Sequence, residues 1–433
     1  MSCATGAGGA GRRVRSALVR AGVAGALAAG TMLAASGAVS DAASAHHGKK
    51  LKSPVVIGAS LSFSGDFSTS GKAFTRGYRL WAAYQNQHGG LLGHRIVLKF
   101  LSDASSPTQA AANYTTLITH DHVKLTIGPF SSLLTVAAAK AAHRQGYALI
   151  EGAGGAPSVF DLHLPNVFDV SYPVATGFKP VVQWIKSIPK SKRPTTVAYA
   201  TITTIFTKAA FPSTRAALTK AGLKNVYTKV FPTETTDFTP IADAVAATNA
   251  QIALIGTVSA TQVSAFMSAF ETQHYNPKIL VFAAGSDKGT TFLKAVGTKN
   301  ALGVINPNGW YPGYASKSSK AFVKAYLKKY GGRATDIAST SAEAYSVGQV
   351  LTQVVKAVHS FTNAKIIKYL HKGKPFTSIQ GPVRFNSLGE NVAGLVFAFQ
   401  WQTKNGKPTL VQILPKKAKG SVPPLFPKPP WGS

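Results

Sequence analysis

Residues 54–90 decide the fold, and they read PVVIGASLSFSGDFSTSGKAFTRGYRLWAAYQNQHGG. The stretch from Val55 to Leu61 is a continuous apolar run, which is typical of a parallel strand buried on both faces. A Ser/Gly-rich loop follows, and four aromatic residues then recur at helical spacing: Phe74, Tyr78, Trp81 and Tyr84. Gly89-Gly90 closes the helical pattern, as glycine commonly does after a last turn. The stretch therefore predicts one strand followed by one helix.

The same alternation of strand and helix continues along the chain. Further strands are predicted at 95–101, 123–127 and 147–150, with helices at 108–119 and 134–144. The pattern restarts after Pro173, where strands are predicted at 196–200, 225–230, 252–255 and 279–282 with helical segments between them. Alternating strands and helices imply a parallel sheet covered by helices, and the restart predicts two similar α/β lobes. Beyond residue 301 the pattern is less regular and ends in a predicted antiparallel pair, 383–385 with 394–402.

The composition is strongly basic, with 47 Lys and Arg against 15 Asp and Glu and a formal net charge of +32. A chain of 433 residues is long enough for two domains. Such a charge excess often indicates nucleic acid or another polyanion as partner. Here the basic residues are scattered, and no aromatic and arginine recognition element accompanies them. We interpret them as a solvated surface and predict no nucleic-acid partner.

Residues 1–45 have the three parts of a secretory signal. A positive leader carries Arg12, Arg13, Arg15 and Arg20. The apolar run 21–33 is too short and too rich in Gly and Ala to make a good membrane span, and Ala43-Ser44-Ala45 offers a cleavage site. The single cysteine, Cys3, lies in this segment, so the sequence predicts neither a disulfide nor a lipoprotein anchor. We expect an exported protein of the periplasm, envelope or exterior, with no transmembrane span after cleavage.

Three predicted strand ends in the first lobe lead into small, polar loops, at 62–71, 128–132 and 152–156. Ligands of open parallel sheets bind beyond the carboxyl ends of the strands. Loops of this kind present backbone N–H groups and hydroxyls to an anion. Gly and Ser are also common at ordinary strand–helix junctions, so one such loop alone is weak evidence. Three in one lobe predict a binding edge.

The order of short motifs resembles a known family. The motifs are Val55-Val56-Ile57-Gly58, Ser64-Gly65, Gly71, Gly77, Asn86, Gly89-Gly90, Gly93, Asp103 with Pro107, Ile127-Gly128, Ser131-Ser132, Asp237-Phe238-Thr239-Pro240 and Gly381-Pro382. As an ordered set over about residues 54–415 they resemble the periplasmic leucine/isoleucine/valine-binding proteins, the type I solute-binding proteins of ABC transporters. The resemblance implies an α/β fold of the periplasmic-binding-protein type I, with two doubly wound parallel-sheet lobes joined by three crossovers. It also implies that a ligand is enclosed between the lobes and delivered to an ABC permease in the inner membrane.

The composition and the resemblance together predict a domain plan. It comprises a signal peptide 1–45, a linker 46–53, an N-terminal lobe 54–173 plus 306–378, a C-terminal lobe 174–305 plus 379–415, and a Lys/Pro-rich tail 416–433. Because the tail is rich in Lys and Pro, we expect that it cannot support a core.

The resemblance implies ligand-binding positions in both lobes. In that family a serine and backbone groups of the third loop hold the ligand's carboxylate, which corresponds here to Ser132, with Ser131 beside it, and to Ala153, Gly154 and Gly155. Four positions differ from the family pattern. Ser70 and Phe206 stand where tyrosines are expected, a further aromatic residue is replaced near Val258, and Asp287 is the carboxylate closest to the expected ammonium-binding acid. The ligand is therefore expected to be a small organic carboxylate, either branched-chain amino-acid-like or aromatic.

Several aromatic residues are candidates for the cleft wall: Phe67, Phe130, Phe206, Trp310 and Tyr311. For Trp310 and Tyr311 a place in the core is an equal alternative. Glu151 lies at a strand end beside the third loop, where it either binds ligand or pairs with a neighbouring base.

The sequence does not favour catalysis. It contains no Gly-x-Ser-x-Gly elbow and no His-Glu-x-x-His motif, and no close carboxylate pair suits acid–base chemistry. We therefore expect a monomeric solute-binding protein without enzymatic activity, cofactor or metal. The alternatives are a sensory binding protein on the same fold, a secreted enzyme, or a protein that adheres to the cell envelope through its basic surface.

Overall fold

The computed structural model describes residues 51–433, apart from residues 315 and 419 and the side chain of residue 205. The predicted signal peptide and residues 46–50 of the predicted linker lie outside the described residues. Within the described part, no helix is long and apolar enough to cross a membrane.

The first lobe is built on a five-stranded parallel sheet. Its strands are β1 (Lys52–Leu61), β2 (His94–Ser102), β3 (Leu125–Ile127), β4 (Leu149–Glu151) and β5 (Val167–Asp169), in the order β2-β1-β3-β4-β5. The helices between them are α1 (Ser68–Gln87), α2 (Pro107–Thr119), α3 (Ser132–Arg144) and the short α4 (Pro157–Phe160). The apolar run 55–61 lies in an interior strand of this sheet, since β1 pairs with β2 on one side and β3 on the other.

The second lobe begins with α5 (Lys179–Ser187) and repeats the alternation. Five strands lie parallel: β6 (Thr196–Ile202), β7 (Lys224–Phe231), β8 (Ile252–Gly256), β9 (Ile279–Phe282) and β10 (Val304–Asn308). The intervening helices are α6 (Ile205–Lys220), α7 (Thr239–Ala247), α8 (Ala260–Thr272) and α9 (Gly289–Val296).

The chain then returns to the first lobe and crosses once more to the second. The returning elements are α10 (Lys317–Tyr330), α11 (Ser339–Val358), α12 (Asn363–Leu370) and the hairpin of β11 (Phe376–Ser378) and β12 (Gly381–Val383). Two antiparallel strands, β13 (Phe397–Lys404) and β14 (Lys407–Leu414), complete the second sheet in the order β14-β13-β10-β9-β8-β6-β7.

Helix α1 packs its aromatic side chains against α11 and the first sheet. Phe74, Tyr78 and Trp81 are fully buried, and the Trp81 indole N–H donates to the Thr352 hydroxyl at 2.9 Å. A Cβ on Gly348 would lie 2.1 Å from the Trp81 ring, so this close approach requires glycine. Tyr84 leaves the buried face and stacks on His88 with ring centroids 4.1 Å apart.

The three crossings between the lobes pack around Tyr172, which lies in the first of them. A Cβ on Gly309, in the second crossing, would lie 3.0 Å from the Tyr172 ring. A Cβ on Gly394, in the third, would lie 2.7 Å from the Tyr172 Cα. The sequence placed the second and third lobe boundaries at residues 305 and 378. Asn308 still belongs to β10 of the second sheet, and Phe385 still packs in the first core, so both crossings lie further along the chain than predicted.

Residues 416–433 differ from the expectation of a tail without a core, because they pack on the second lobe. The Phe426 ring lies edge-on to Trp184 at 5.9 Å, and the Trp431 indole N–H donates to the carbonyl of Tyr275 at 2.9 Å. Lys428 is 3% exposed; its ammonium lies 3.5 Å from the Trp431 ring centroid and donates to Asn276 at 2.8 Å. Side-chain amides of Asn276, Gln400 and Gln402 also donate to backbone carbonyls of the segment, so it packs on the lobe without forming a strand.

Candidate functional site

The three polar loops predicted at the edge of the first sheet come together in the structure. The Phe67 and Phe130 rings, from the first and second loops, lie 5.7 Å apart. A Cβ on Gly128 would lie 2.0 Å from the Cβ of Glu151, so the second loop passes directly over the end of β4. The backbone N–H of Ala156 in the third loop donates to the Ser132 hydroxyl at 3.2 Å. The loops form one continuous edge.

Ser131 and Ser132 stand at the N-terminus of α3. The Ser131 hydroxyl accepts from the N–H of Leu134 at 3.4 Å and so caps the helix. Ser132 is 3% exposed, and while its oxygen accepts from Ala156, its own hydrogen can still be donated. A helix N-terminus favours a negative group, so this is the part of the edge best suited to an anion.

The third loop is bound by the chain's own carboxylate. Glu151 Oε2 accepts the backbone N–H of Ala153 at 2.7 Å and that of Gly154 at 2.5 Å. These N–H groups belong to the residues predicted to hold the ligand's carboxylate. In this conformation Glu151 occupies them, and its contacts are with backbone N–H groups rather than with a base.

A second carboxyl group lies beside the first. Asp169 ends β5 and is the register partner of Glu151 on β4, and the two residues are 1% and 0% exposed. A Cβ on Gly154 would lie 2.6 Å from Glu151 Oε1, and one on Gly155 would lie 2.7 Å from Asp169 Oδ2. The glycines of the third loop therefore make room for two buried carboxyl groups. Sequence reasoning missed Asp169, because the strand that it ends was not predicted and its place beside Glu151 depends on the strand order of the sheet.

Burial changes the protonation of this group of acids. It raises the pKa of Glu151 well above the usual value, helped by the neighbouring Asp169. Burial raises the pKa of Asp169 to about 7 and that of Glu343, on α11, to about 8. The protonated forms are thus favoured at a pH where an exposed carboxyl group would be charged.

Asp287 lies at the junction of the two lobes, in the loop after β9. Its carboxylate accepts from the backbone N–H of Gly285 at 3.2 Å and from the amide of Asn308 at 3.2 Å. The Ser339 hydroxyl of the first lobe donates to it at 3.5 Å, and the Lys288 ammonium lies 3.7 Å away. Asp287 is therefore already partnered on both sides of the junction.

The other predicted site residues are placed less centrally. Ser70 is half-buried in the first turn of α1, and Phe206 is half-buried against the second core at the start of α6. Helices α3 and α6 contact each other across the lobes. Trp310 is a core residue, 1% exposed, whose indole N–H donates to Ser319 at 2.8 Å. Tyr311 packs on Phe399 of the second sheet, with ring centroids 4.5 Å apart.

A family model described as periplasmic binding protein matches residues 54–407. The chain belongs to this family. A curated relative, the Leu/Ile/Val-binding protein homolog 7 of Brucella abortus, is 26% identical over 382 residues, which is 84% of this chain and 92% of the relative. The family that the ordered motifs resembled is thereby confirmed.

Two solved structures show the fold of this binding protein. The branched-chain amino acid transporter substrate-binding protein of Streptococcus pneumoniae with isoleucine has a TM-score of 0.70 at 19% identity, covering 83% of this chain and 99% of that one. A solute-binding protein of an ABC transporter from R. palustris with benzoate has a TM-score of 0.69 at 20% identity, covering 83% and 96%. These similarities confirm the predicted type I fold. In the described part of this binding protein, no three His, Cys, Asp or Glu side chains are grouped to hold a metal.

Proposed function

We propose that this periplasmic binding protein is the extracytoplasmic solute-binding component of an ABC importer, and that it catalyses no reaction. It captures a small organic ligand between its lobes and docks, as a monomer, on a permease in the inner membrane. The observation that carries this proposal is the continuous edge of three loops at the carboxyl ends of the first sheet. In open parallel sheets this edge is where ligands bind.

The ligand we propose carries a carboxylate, which binds at the N-terminus of α3. The Ser132 hydroxyl has a hydrogen to donate there, and the helix dipole favours the negative charge. Since Glu151 already accepts the N–H groups of Ala153 and Gly154, the N-terminus of α3 supplies most of the hydrogen bonds to the ligand's carboxylate. Gly155, which lies against Asp169, contributes backbone surface to the same edge.

The partners of Asp287 favour an aromatic acid over an amino acid. An α-ammonium group would have to displace the amide of Asn308 or compete with the Lys288 ammonium. Phe67 and Phe130, by contrast, already form an aromatic surface beside the α3 N-terminus. Ser70 from the first lobe and Phe206 from the second complete the proposed contacts, and closure about the crossings at Tyr172 encloses the ligand.

Thermal shift measurements test this proposal. The purified protein is titrated with benzoate, 4-hydroxybenzoate, isoleucine, leucine and valine, because a ligand bound only by the native state raises the melting temperature. We expect a hit among the aromatic acids, and we expect Ser132→Ala to weaken it about tenfold, as loss of one hydrogen bond to a charged group would. The control is Ser318→Ala, an exposed hydroxyl on α10. A hit that Ser132→Ala leaves unchanged would contradict the proposed site, and conversion of the ligand would contradict the absence of catalysis.

A further inference from the structure

Two helices on the outside of the first lobe carry an array of basic side chains that the cleft does not use. We call this array the basic ridge; its residues, all exposed, are Lys72, Arg76 and Arg79 of α1 and Lys317, Lys320, Lys324, Lys328 and Lys329 of α10. Neither helix contains Asp or Glu. The chain has only 15 acidic residues, and none of them lies on either helix to pair with these positive charges.

Contacts at Arg76 join the two helices of the ridge. The Arg76 guanidinium donates to the Tyr326 hydroxyl at 3.0 Å and lies 5.2 Å from the Tyr330 ring centroid. The Tyr330 hydroxyl donates to the carbonyl of Arg76 at 3.4 Å. The axes of packed helices lie about 8–10 Å apart, and α10 extends about 20 Å along its axis. The two rows of charge in the ridge therefore meet at Arg76.

Apart from Arg76, the fold does not require these charges. Ser319, Phe322 and Tyr326 bury the inner face of α10, and Phe74, Tyr78 and Trp81 bury that of α1. Lysines at 320, 324 and 328 follow one another at a spacing of four residues, where like charges repel. Lys317 adds a positive charge to the positive end of the helix dipole. An anion on this face would relieve each of these repulsions.

The ridge has the charge for an anionic partner but not the apolar side chains for insertion into a lipid bilayer. Among the exposed large hydrophobic residues of the described chain, α10 has none and α1 has only Tyr84, near its C-terminal end. Interfacial helices insert Trp, Phe or Leu side chains. Six of the eight charges are lysines, whose ammonium groups bind phosphate as point charges without fixed orientation. Two rows of such charges suit an extended chain of phosphate groups.

We infer that the basic ridge binds a linear phosphate polymer, as a second binding activity separate from the ligand cleft. The polymer lies along α1 and α10 and contacts both rows. Binding is electrostatic and weakens steeply with salt, because the polymer releases condensed counterions when lysines replace them. This activity would hold the protein to a phosphate-bearing polymer while the lobes remain free to open and close.

Binding of fluorescently labelled long-chain inorganic polyphosphate, measured by anisotropy at several salt concentrations, tests the inference. The ridge variant is K317Q/K320Q/K324Q/K328Q. Its matched control is K179Q/K186Q/K190Q/K192Q, four exposed lysines of the second lobe, which lowers the net charge equally. We expect the ridge variant to lose at least tenfold in affinity and to show a shallower salt dependence, and the control to stay within about threefold of the parent. A smaller variant, K72Q/R79Q, removes charge from α1 alone and should give an intermediate loss even if the α10 variant folds poorly.

Three outcomes would overturn the inference. The first is an equal loss in the ridge variant and the second-lobe control, which would show that only net charge matters. The second is tighter binding to polyglutamate, or to vesicles with 30% phosphatidylglycerol, than to polyphosphate. The third is that K72Q/R79Q loses both polymer binding and the thermal shift produced by the cleft ligand, since the two sites would then not be separate.

Discussion

The two lobes share one fold but complete it in different ways. In the first lobe all five sheet strands are parallel, and the loops at their carboxyl ends enclose the buried carboxyl groups of Glu151 and Asp169. In the second lobe two antiparallel strands extend the sheet, and residues 416–433 cover part of its surface with Phe426, Lys428 and Trp431. The proposed binding chemistry thus lies mainly in the first lobe, whereas late segments of the chain pack on the second.

The largest effect we expect comes from removing the tail's anchors. Replacing both Phe426 and Trp431 by Ala removes aromatic surface packed on the second core, and we expect it to lower the free energy of unfolding by about 4 kcal/mol. Urea unfolding monitored by fluorescence and circular dichroism measures it. Leu425→Ala is the control, because that side chain is 37% exposed and should cost less than about 1 kcal/mol. Equal, small losses in both variants would show that the tail is not part of the second lobe's core.

The packing of residues 416–433 on the second lobe could not be predicted from the sequence, for a physical reason. A segment rich in Lys and Pro has neither strand nor helix periodicity, so the pattern says nothing about where single aromatic side chains such as Trp431 bind. The apolar runs at 55–61 and 252–255 were informative because a strand buried on both faces must be apolar throughout. Local sequence patterns therefore predicted the parallel strands better than the tail.

The sequence predicted which loops meet at the candidate site, but not which groups hydrogen-bond there. Loops rich in Gly and Ser correctly marked the edge of the first sheet, since strand ends converge there. The glycines of the third loop suggested free N–H groups, yet Gly154 and Gly155 are small because carboxyl groups lie against them. Sequence spacing cannot show which oxygen fills the space beside a glycine, and the closeness of Asp169 to Glu151 depends on strand order in the sheet.

The second prediction concerns pH and distinguishes the lobes by their buried acids. Burial raises the pKa of Asp169 to about 7, while an unfolded chain releases the same proton near pH 4. The folded state therefore holds a proton that the unfolded state has lost, so stability is highest below about pH 4 for this group and falls as the pH rises toward 7. Between pH 5 and pH 8 the loss for Asp169 is on the order of 3 kcal/mol, and the raised pKa of Glu151 acts in the same direction.

Melting temperatures between pH 5 and pH 8 measure this slope. Asp169→Asn keeps an oxygen that can accept the N–H of Ser171, and it should flatten the decline, whereas Asp161→Asn, at an exposed position, should leave it unchanged. Asp121 and Asp336 have lowered pKa values, so they are ionised in both the folded and the unfolded state above about pH 5 and do not change this slope. A decline of the same slope in Asp169→Asn would remove Asp169 as its cause.

The smallest expected effect tests whether the third loop is shaped by Glu151. The Cβ introduced by Gly154→Ala would lie 2.6 Å from Glu151 Oε1, so the loop must shift, and we expect a loss of about 2 kcal/mol. Glu151→Ala alone leaves the N–H groups of Ala153 and Gly154 without their acceptor and should also destabilise the protein. In the double variant the Glu151 carboxyl group is gone, and only the Thr135 methyl group, 2.8 Å from the new Cβ, remains close. Added to Glu151→Ala, Gly154→Ala should then lower the free energy of unfolding by about 1 kcal/mol less than it does alone, which is the sign of a coupled pair.

A full double-mutant cycle in urea, with ligand binding measured for each variant, separates two roles for the carboxylate. If Glu151 only fills space, the stability terms couple and the affinity for an aromatic acid is unchanged. If it also keeps the ligand's carboxylate away from the third loop, Glu151→Ala frees two N–H groups and binding of the acid tightens, because a carboxylate can then accept them. Additive stability effects would instead show that Gly154 is small for a reason unrelated to Glu151. The buried acids would then not explain why this loop of the first lobe is glycine-rich.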